Sequence, residues 1–459
     1  MPTATYPQQT RFALRDGITC RTGPADAILL DPPREAKLTG LDAGQLHALA
    51  TLNQGPATVS ELSAAAGGDD VAELMGRLAD GGWLSVTVRD RGRDLYTLRP
   101  FGPPAPRPDA PLPWSATLSK FAVLHRDSEG FVLQHPRAWC DLRIHDPRLL
   151  ALLDGLGAAD VDLPIDVKSQ FTDDLHWCGF LVPDADAEDR ESTTRGGSLP
   201  ELWFHRRSAL GAHTLTHNHF DPTTEAKRRF PQLPARNASH PGDAIDLHVP
   251  DLSAKRAEDP TLTAVLEDRV STRSFDDAHP ITLDQLAELL YRTARSRGTR
   301  LSDRGEEFDS RPYPSCGSGY ELELYPVVRK VGGLSPGMYH YDSFEHVLRP
   351  VVDADSPVVT EVSQPTSSTL PEGAEPQVLL VMAARAGRVM GTSEQAGYAA
   401  IREHVGVLMQ TIYLAATAMG LGACAQTYPD TAPFATAAGV DEPEACAVGG
   451  MIIGSPARR

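Results

Sequence analysis

The sequence predicts an α+β chain built from more than one domain. Helical and strand periodicities alternate through residues 251–459, two composition breaks divide the chain before them, and 459 residues are more than one ordinary core organises. With 41% hydrophobic and 23% charged residues, the chain has the composition of a folded globular protein. The breaks are the proline-rich FGPPAPRPDAPLP at 101–113 and the polar, acidic PDADAEDRESTTRGGSLP at 183–200. They set boundaries at 1–105 and 114–185 for two small modules, 197–250 for a connecting segment and 251–459 for the largest domain.

In the first module LDAGQLHALATLN, ATVSELSAAAG and DDVAELMGRLADGGW read as three short helices, and LSVTVRD-RGRD-LYTLRP reads as a two-stranded hairpin. That is the element order of a winged helix. A role in reading DNA is disfavoured, because the third helix sets Asp69, Asp70, Glu73 and Asp80 against the single cation Arg77. The remaining readings are a module that holds a peptide by adding a strand to its hairpin edge, and a purely structural domain. In the second module FAVLHRD and GFVLQH read as strands around an acidic turn, and DPRLLALLDGLG as a helix with an Asp start and a Gly stop. Its end, DDLHWCGFLVP, echoes LADGGWLSV of the first module, so a second, degenerate winged-helix-like copy is expected.

The third block mixes a sheet with segregated helices. Thr282 and Gln285 form a capping box ahead of Leu283, Leu286, Leu289 and Leu290, an amphipathic helix. Strands are expected in YELELYPVVRKV at 320–331, PQVLLVMAARA at 376–386 and CAVGGMIIGSP at 446–456, with a hairpin in MYHYDSFEHVLRPVV. Residues 404–420 repeat Leu408, Ile412, Ala415 and Met419 on a helix that is apolar all round, which belongs in a core or a dimer interface. The Pro/Ser-rich stretch 356–376 reads as a lid or a disordered loop.

Charge and cysteine usage narrow the function classes. The 61 acidic and 43 basic side chains give a formal charge of -18, which repels phosphate backbones and argues against nucleic acid as a partner. The six cysteines, Cys20, Cys140, Cys178, Cys316, Cys424 and Cys446, are scattered with no metal-ligand spacing, so they read as reduced cytoplasmic thiols and no metal is expected. The first residues, MPTATYPQQTRFALRDG, lack the apolar stretch of a secretory signal. Residues 405–429 carry no charge, yet Gln410, Thr411, Tyr413, Thr417 and GLGA interrupt them, so a buried helix is expected there and not a membrane span.

Three segments carry functional signal. EDRVSTRSF sets Arg269, Ser271 and Arg273 at alternating positions, so an extended backbone would aim two guanidiniums and a hydroxyl at one face, an arrangement suited to a phosphate; a solvated strand end is the plainer reading. RPYPSCGSGYELELY places Pro314, Ser315, Gly317 and Gly319 in a small-residue turn that a flat ring could approach closely, though a plain loop has the same composition. MGLGACAQTYPD and the terminal VGGMIIGSPARR end a buried helix and a buried strand in glycines, with two arginines last.

Taken in order, these segments resemble the nitroreductase superfamily, and within it the SagB-type or McbC-like branch of azoline dehydrogenases, over about 197–459. ELWFHRRSALG is similar to that branch's entry segment, RVSTRSF to its first FMN motif, PSCGSGYELELY to its Pro-Ser-x-Gly motif and GVLMQTIYLAATAMGLGA to its central helix. The two upstream modules are similar to the peptide-clamp modules of cyanobactin oxidases. The resemblance implies FMN held at a homodimer interface. Arg269 and Ser271 would serve the phosphate with Arg458 or Arg459, and Arg273 would lie near the N1 and C2-carbonyl edge, where a cation favours the reduced ring. Pro314, Ser315, Gly317 and Ser318 would line the ring, and the backbone about Thr427 would face N5.

One departure from the branch stands out. The Lys-Tyr pair that many of its members carry before the central helix falls on Thr392 and Ser393 here, and neither is a base unaided. The nearby groups are Arg388, Glu394, Tyr398, Arg402, Glu403 and His404, of which Tyr398 is the candidate for proton handling, packing being its plainer role, and His404 reads as a satisfied core histidine. The activity implied is oxidation of thiazoline or oxazoline rings to azoles in a ribosomally made precursor peptide, in the cytoplasm, with a cyclodehydratase complex as a possible partner. Two alternatives follow from the missing pair: a flavin-dependent reductase of dehydroamino acids in a lanthipeptide-like precursor, and a catalytically silent peptide-binding scaffold.

Overall fold

The structure is a computed structural model, and it describes residues 6–31, 34–68, 71–153, 161–190, 198–208, 233–237, 240–303, 305–367, 369–372, 374–390, 397–426, 431–441 and 445–457. The chain divides into two compact units, Met1–Asn218 and His219–Arg459.

The first unit contains strands β1 (Arg11–Leu14), β2 (Thr19–Thr22), β3 (Asp26–Asp31), β4 (Arg34–Thr39), β5 (Leu84–Asp90), β6 (Arg93–Pro100), β7 (Thr117–Leu118), β8 (Val123–Arg126), β9 (Phe131–Gln134), β10 (Cys140–Ile144) and β11 (Leu181–Val182). Its three expected helices are Ala43–Gln54, Val59–Ala65 and Ala72–Asp80, followed by the β5–β6 hairpin. The first two helices start at capping boxes, Asp42 with Gln45 and Thr58 with Glu61, which satisfy backbone N–H groups that a helix start leaves free. The third turns Leu74, Met75 and Leu78 inward on its apolar stripe. Ahead of them lies an antiparallel sheet, β2-β3-β4, that the sequence reading does not foresee.

Strands of both upstream modules form one six-stranded sheet in the order β1-β5-β6-β10-β9-β8, with β6 of the first module paired to β10 of the second. Their apolar side chains share one core that runs from Phe12 and Leu49 to Phe171 and Phe180. Within that core the fully buried Asp174, on helix Ile165–Trp177, accepts hydrogen bonds from Tyr96 on β6 at 2.8 Å and from Tyr6 at 3.2 Å. The helix expected in DPRLLALLDGLG is a single 3-10 turn, Pro147–Leu149, continued by Leu150–Leu153; the rest of that segment lies outside the described residues.

The second unit contains β12 (Ile245–Asp246), β13 (Thr299–Leu301), β14 (Glu307–Asp309), β15 (Leu322–Val328), β16 (Gly337–Asp342), β17 (Val347–Asp353), β18 (Val378–Ala384), β19 (Gly422–Gln426) and β20 (Cys446–Gly454). Seven of them form an antiparallel sheet in the order β12-β17-β16-β15-β18-β20-β19, so the α+β expectation describes this unit. The capping box at Thr282 and Gln285 is present at helix Leu283–Ala294.

The helices cover both faces of this sheet instead of gathering on one. Along β15 and β18 both parities are apolar, and in a strand successive side chains point to opposite faces. Leu322, Leu324, Leu380 and Met382 meet helices Leu283–Ala294 and Gly397–Ala418, while Tyr325, Val327, Leu379 and Val381 share a core with Val359, Val362 and Phe434. Val359 and Val362 belong to a helix, Pro357–Ser367, so this part of 356–376 is ordered and not a disordered loop. Its prolines and serines hide a helical spacing of valines. No helix among the described residues is long and apolar enough to cross a membrane.

Candidate functional site

Helix Leu262–Asp268 ends at Arg269, and the chain then runs extended beside β19, with Ser271 bridged to Ala423 and the Thr272 N–H donating to the Ala423 carbonyl at 2.8 Å. That approach requires the bare backbone of Gly422, since a Cβ there would lie 2.7 Å from Thr272 Cγ2. Ser271 and Tyr413 share a hydroxyl–hydroxyl hydrogen bond of 2.9 Å, and the Tyr413 oxygen also accepts the Ala425 N–H at 2.8 Å. The Arg269 guanidinium stands 5.2 Å from the centre of the Tyr413 ring, within cation–π range. Arg269 and Ser271 therefore converge on Tyr413, a residue the sequence reading mentions only as an interruption of an apolar stretch. Arg273 is exposed and forms no ion pair among the described residues.

The Pro314–Gly319 segment is a tight turn. Gly317 and Ser318 take left-handed backbone angles, φ 59° and φ 54°, and Tyr320 follows at φ 44°. Gly317 adopts its angle without strain, whereas Ser318 and Tyr320 are held there by their surroundings. The Ser318 N–H donates to the Ser315 carbonyl at 3.2 Å, the Gly319 N–H to the Cys316 carbonyl at 3.2 Å and the Tyr320 N–H to Ser315 Oγ at 3.1 Å. Pro314, Cys316 and Gly317 are exposed and Ser315 and Ser318 half-buried, so the turn presents itself to solvent.

Two buried side chains hold this turn from behind. His404, 4% exposed on helix Gly397–Ala418, accepts the Cys316 N–H at Nε2 and donates from Nδ1 to Glu321 Oε1, both at 2.8 Å. The backbone N–H can only donate, so the ring proton sits on Nδ1. Arg388, 1% exposed, donates to the carbonyls of Gly319 at 2.7 Å, Leu233 at 2.5 Å and Glu307 at 3.3 Å. Burial, with help from Arg385 and Arg311, lowers its pKa to about 10. The Cys316 thiol is pushed up by burial and then by the neighbouring Glu403 and Glu321.

The proton-handling candidates separate on this geometry. Arg388 and His404 are committed to the fold, and Arg402 donates to the Val448 carbonyl. Tyr398, 44% exposed, and the exposed Glu403 face outward on the first turns of the same helix. Thr392, Ser393, Glu394, Thr427, Arg458 and Arg459 lie outside the described residues. No group of three or more His, Cys, Asp or Glu among the described residues could hold a metal ion, and all six cysteines are free.

The donor set fits a phosphate-bearing flavin. The Arg269 guanidinium has no carboxylate partner among the described residues and shares Tyr413 with the Ser271 hydroxyl, the exposed Arg273 follows in the same segment of a chain of formal charge -18, and the solvent-facing turn leaves the Gly317 N–H without a partner among the described residues.

Residues 266–455 match the nitroreductase family, and residues 116–214 match the cyanobactin oxidase ThcOx. A nitroreductase-family protein of Methanocaldococcus jannaschii is 31% identical over 183 residues, covering 39% of this chain and 83% of the relative. Among solved structures, a nitroreductase-family protein of Ralstonia eutropha is 24% identical, covers 50% of this chain and 98% of its own, and superposes with a TM-score of 0.37. The E. coli microcin synthetase McbBCD complex is 17% identical, with 56% and 86% covered and a TM-score of 0.35. Through its second unit the chain belongs to the nitroreductase family, and it carries upstream of that domain a segment like the cyanobactin oxidase ThcOx.

Proposed function

We propose that this protein is an FMN-dependent azoline dehydrogenase that oxidises thiazoline or oxazoline rings in a ribosomally made precursor peptide. The observation that carries the reading is the pairing, in one chain, of a nitroreductase domain with a cyanobactin-oxidase segment. A nitroreductase acting on a small free metabolite would leave that upstream segment without a role.

In this reading Arg269 and Ser271, braced by Tyr413, bind the phosphate, with Arg458 or Arg459 assisting. Pro314, Ser315, Gly317 and Ser318 line the ring, the backbone at Thr427 faces N5, and Arg273 supplies positive charge at the edge of the ring. FMN, when bound, supplies the hydride acceptor. The peptide ring loses a proton from Cα and a hydride from Cβ, and aromatisation drives the change, so the chain's task is to hold the ring and to receive the proton. Tyr398 is the proposed proton-handling or orienting group. The 1–105 and 114–185 modules, read as winged-helix-like clamps, would retain the precursor or dock a cyclodehydratase complex and so raise the local concentration of substrate. The domain would act as a homodimer.

The substitution of Thr392 and Ser393 for the expected Lys-Tyr pair favours a second reading, reduction of dehydroamino acids in a lanthipeptide-like precursor. One experiment separates the two. Purified protein is examined for a flavin absorption spectrum and then given, in separate reactions, azoline-containing peptide in the presence of oxygen and dehydroamino-acid-containing peptide with NAD(P)H. Oxygen uptake with a peptide lighter by two hydrogens per ring supports the dehydrogenase; NAD(P)H consumption with a heavier peptide supports the reductase. A colourless protein that stays colourless with added FMN would leave a peptide-binding scaffold.

A further inference from the structure

We propose that Glu321 and His404 form a positioning pair for the flavin, an inference that rests on the FMN-dependent function proposed above. Both are buried, Glu321 completely and His404 to 4% exposure, so the pair acts from inside the fold on a turn whose outer side faces solvent. His404 Nε2 takes the Cys316 N–H and Nδ1 gives its proton to Glu321, each at 2.8 Å. With both ring nitrogens engaged, the imidazole cannot turn without breaking a bond. A carboxyl group on Nδ1 fixes the tautomer that leaves Nε2 an acceptor, as carboxyl partners do for imidazoles elsewhere.

The consequence lies in which amide of the turn stays available. The Cys316 N–H is drawn inward to His404, while those of Ser318, Gly319 and Tyr320 are used within the turn. Gly317 is exposed, and its N–H has no partner among the described residues. The pair thereby selects one outward donor in a strained turn, suited to a carbonyl or ring-nitrogen acceptor at the edge of a flat heterocycle. Behind the turn, Glu321 Oε2 and the buried Tyr313 hydroxyl both lack partners among the described residues, and burial first, then the charge of Glu321, holds the Tyr313 proton more tightly.

The test uses the full chain and three variants, His404→Gln, His404→Asn and His404→Leu. The Gln amide oxygen reaches the place of Nε2, whereas Asn is too short and Leu has no acceptor. We expect Asn and Leu to bind FMN roughly tenfold or more weakly, to shift its absorption bands and reduction potential, and in flavin-free protein to exchange the amide hydrogens of 315–320 faster; Gln should restore most of each property. If Leu fails to fold, the comparison of Gln with Asn decides. Wild-type protein that takes up no FMN overturns the proposed function and the flavin role with it. Wild-type protein that binds FMN while Asn and Gln match it in affinity, potential and exchange overturns the positioning pair alone, as does an equal loss in both.

Discussion

The hydroxyl of Tyr413 lies 2.9 Å from that of Ser271 and at the same time accepts the Ala425 N–H at 2.8 Å, so one phenol oxygen ties the Arg269–Arg273 segment to β19. Replacing Tyr413 by Phe keeps the ring beneath Arg269 and removes both bonds. An unpaired backbone N–H and a freed serine should cost about 1–3 kcal/mol of stability. Phosphate-side affinity should fall as well, since Ser271 loses its orientation. Thermal unfolding and an FMN titration check both parts, and a variant equal to wild type in each would remove Tyr413 from the site.

Arg273→Ala isolates charge from folding. The side chain is exposed and forms no ion pair among the described residues, so stability should change by no more than about 0.5 kcal/mol. Flavin retention or turnover should drop severely. Near-wild-type turnover in a well-folded variant would show that Arg273 does not contact the reacting group.

Tyr398→Phe separates packing from chemistry at the beginning of the central helix, because Phe keeps the ring and loses only the hydroxyl. With the residue 44% exposed, folding should be unaffected. A decrease in the rate of the chemical step, seen in single-turnover flavin reduction with peptide, is the expected outcome. An unchanged rate would turn attention to Glu403, the other outward-facing acidic or phenolic group on those turns.

Asp174 makes a prediction about pH that is independent of any flavin. Burial raises its pKa from 3.8 to about 6, against the lowering effect of its hydrogen bonds from Tyr96, Gln170 and Tyr6 and the charge of Arg107. The folded state therefore binds this proton more tightly than the unfolded chain, and stability falls as pH rises from about 4 to about 6. The change is on the order of 3 kcal/mol for about two pH units. His135, lowered to about 4 by burial and by Arg137, works in the opposite sense: its contribution is full above pH 6.5 and is lost as pH falls towards 4. The comparison that isolates Asp174 is the difference between Asp174→Asn and wild type in denaturant unfolding at pH 4.5 and pH 7. That difference should move in favour of the Asn variant at the higher pH, and a difference independent of pH would contradict the raised pKa.

Much of the second unit was legible in the sequence because its signals are local. The capping box at Thr282 and Gln285 lies within one turn of the helix it starts, and the apolar runs of β15, β18 and β20 lie within the strands themselves. The β2-β3-β4 sheet escaped because β2 and β4 are mostly polar, and across the three strands only Ala27, Leu29, Asp31 and Leu38 are buried. The positions of Arg269, Ser271 and the Pro314–Gly319 turn were readable, but the residues that hold them were not. Tyr413 and Ser271 are 142 residues apart, and His404 is 88 from Cys316; no local spacing encodes either contact. Such partners become visible only once the sheet has brought distant segments together.

The pairing of β6 with β10 bears on how this protein can be dissected. The proline-rich stretch 101–113 invites a cut between two pieces, yet such a cut would strip β6 of its neighbour along Tyr96–Pro100 and leave the Tyr96 hydroxyl facing no carboxyl group. A fragment ending there would expose a raw strand edge and part of a shared core, the condition under which chains associate with one another. Fragments meant to bind a peptide on their own are better ended after β11, where both halves of the sheet travel together.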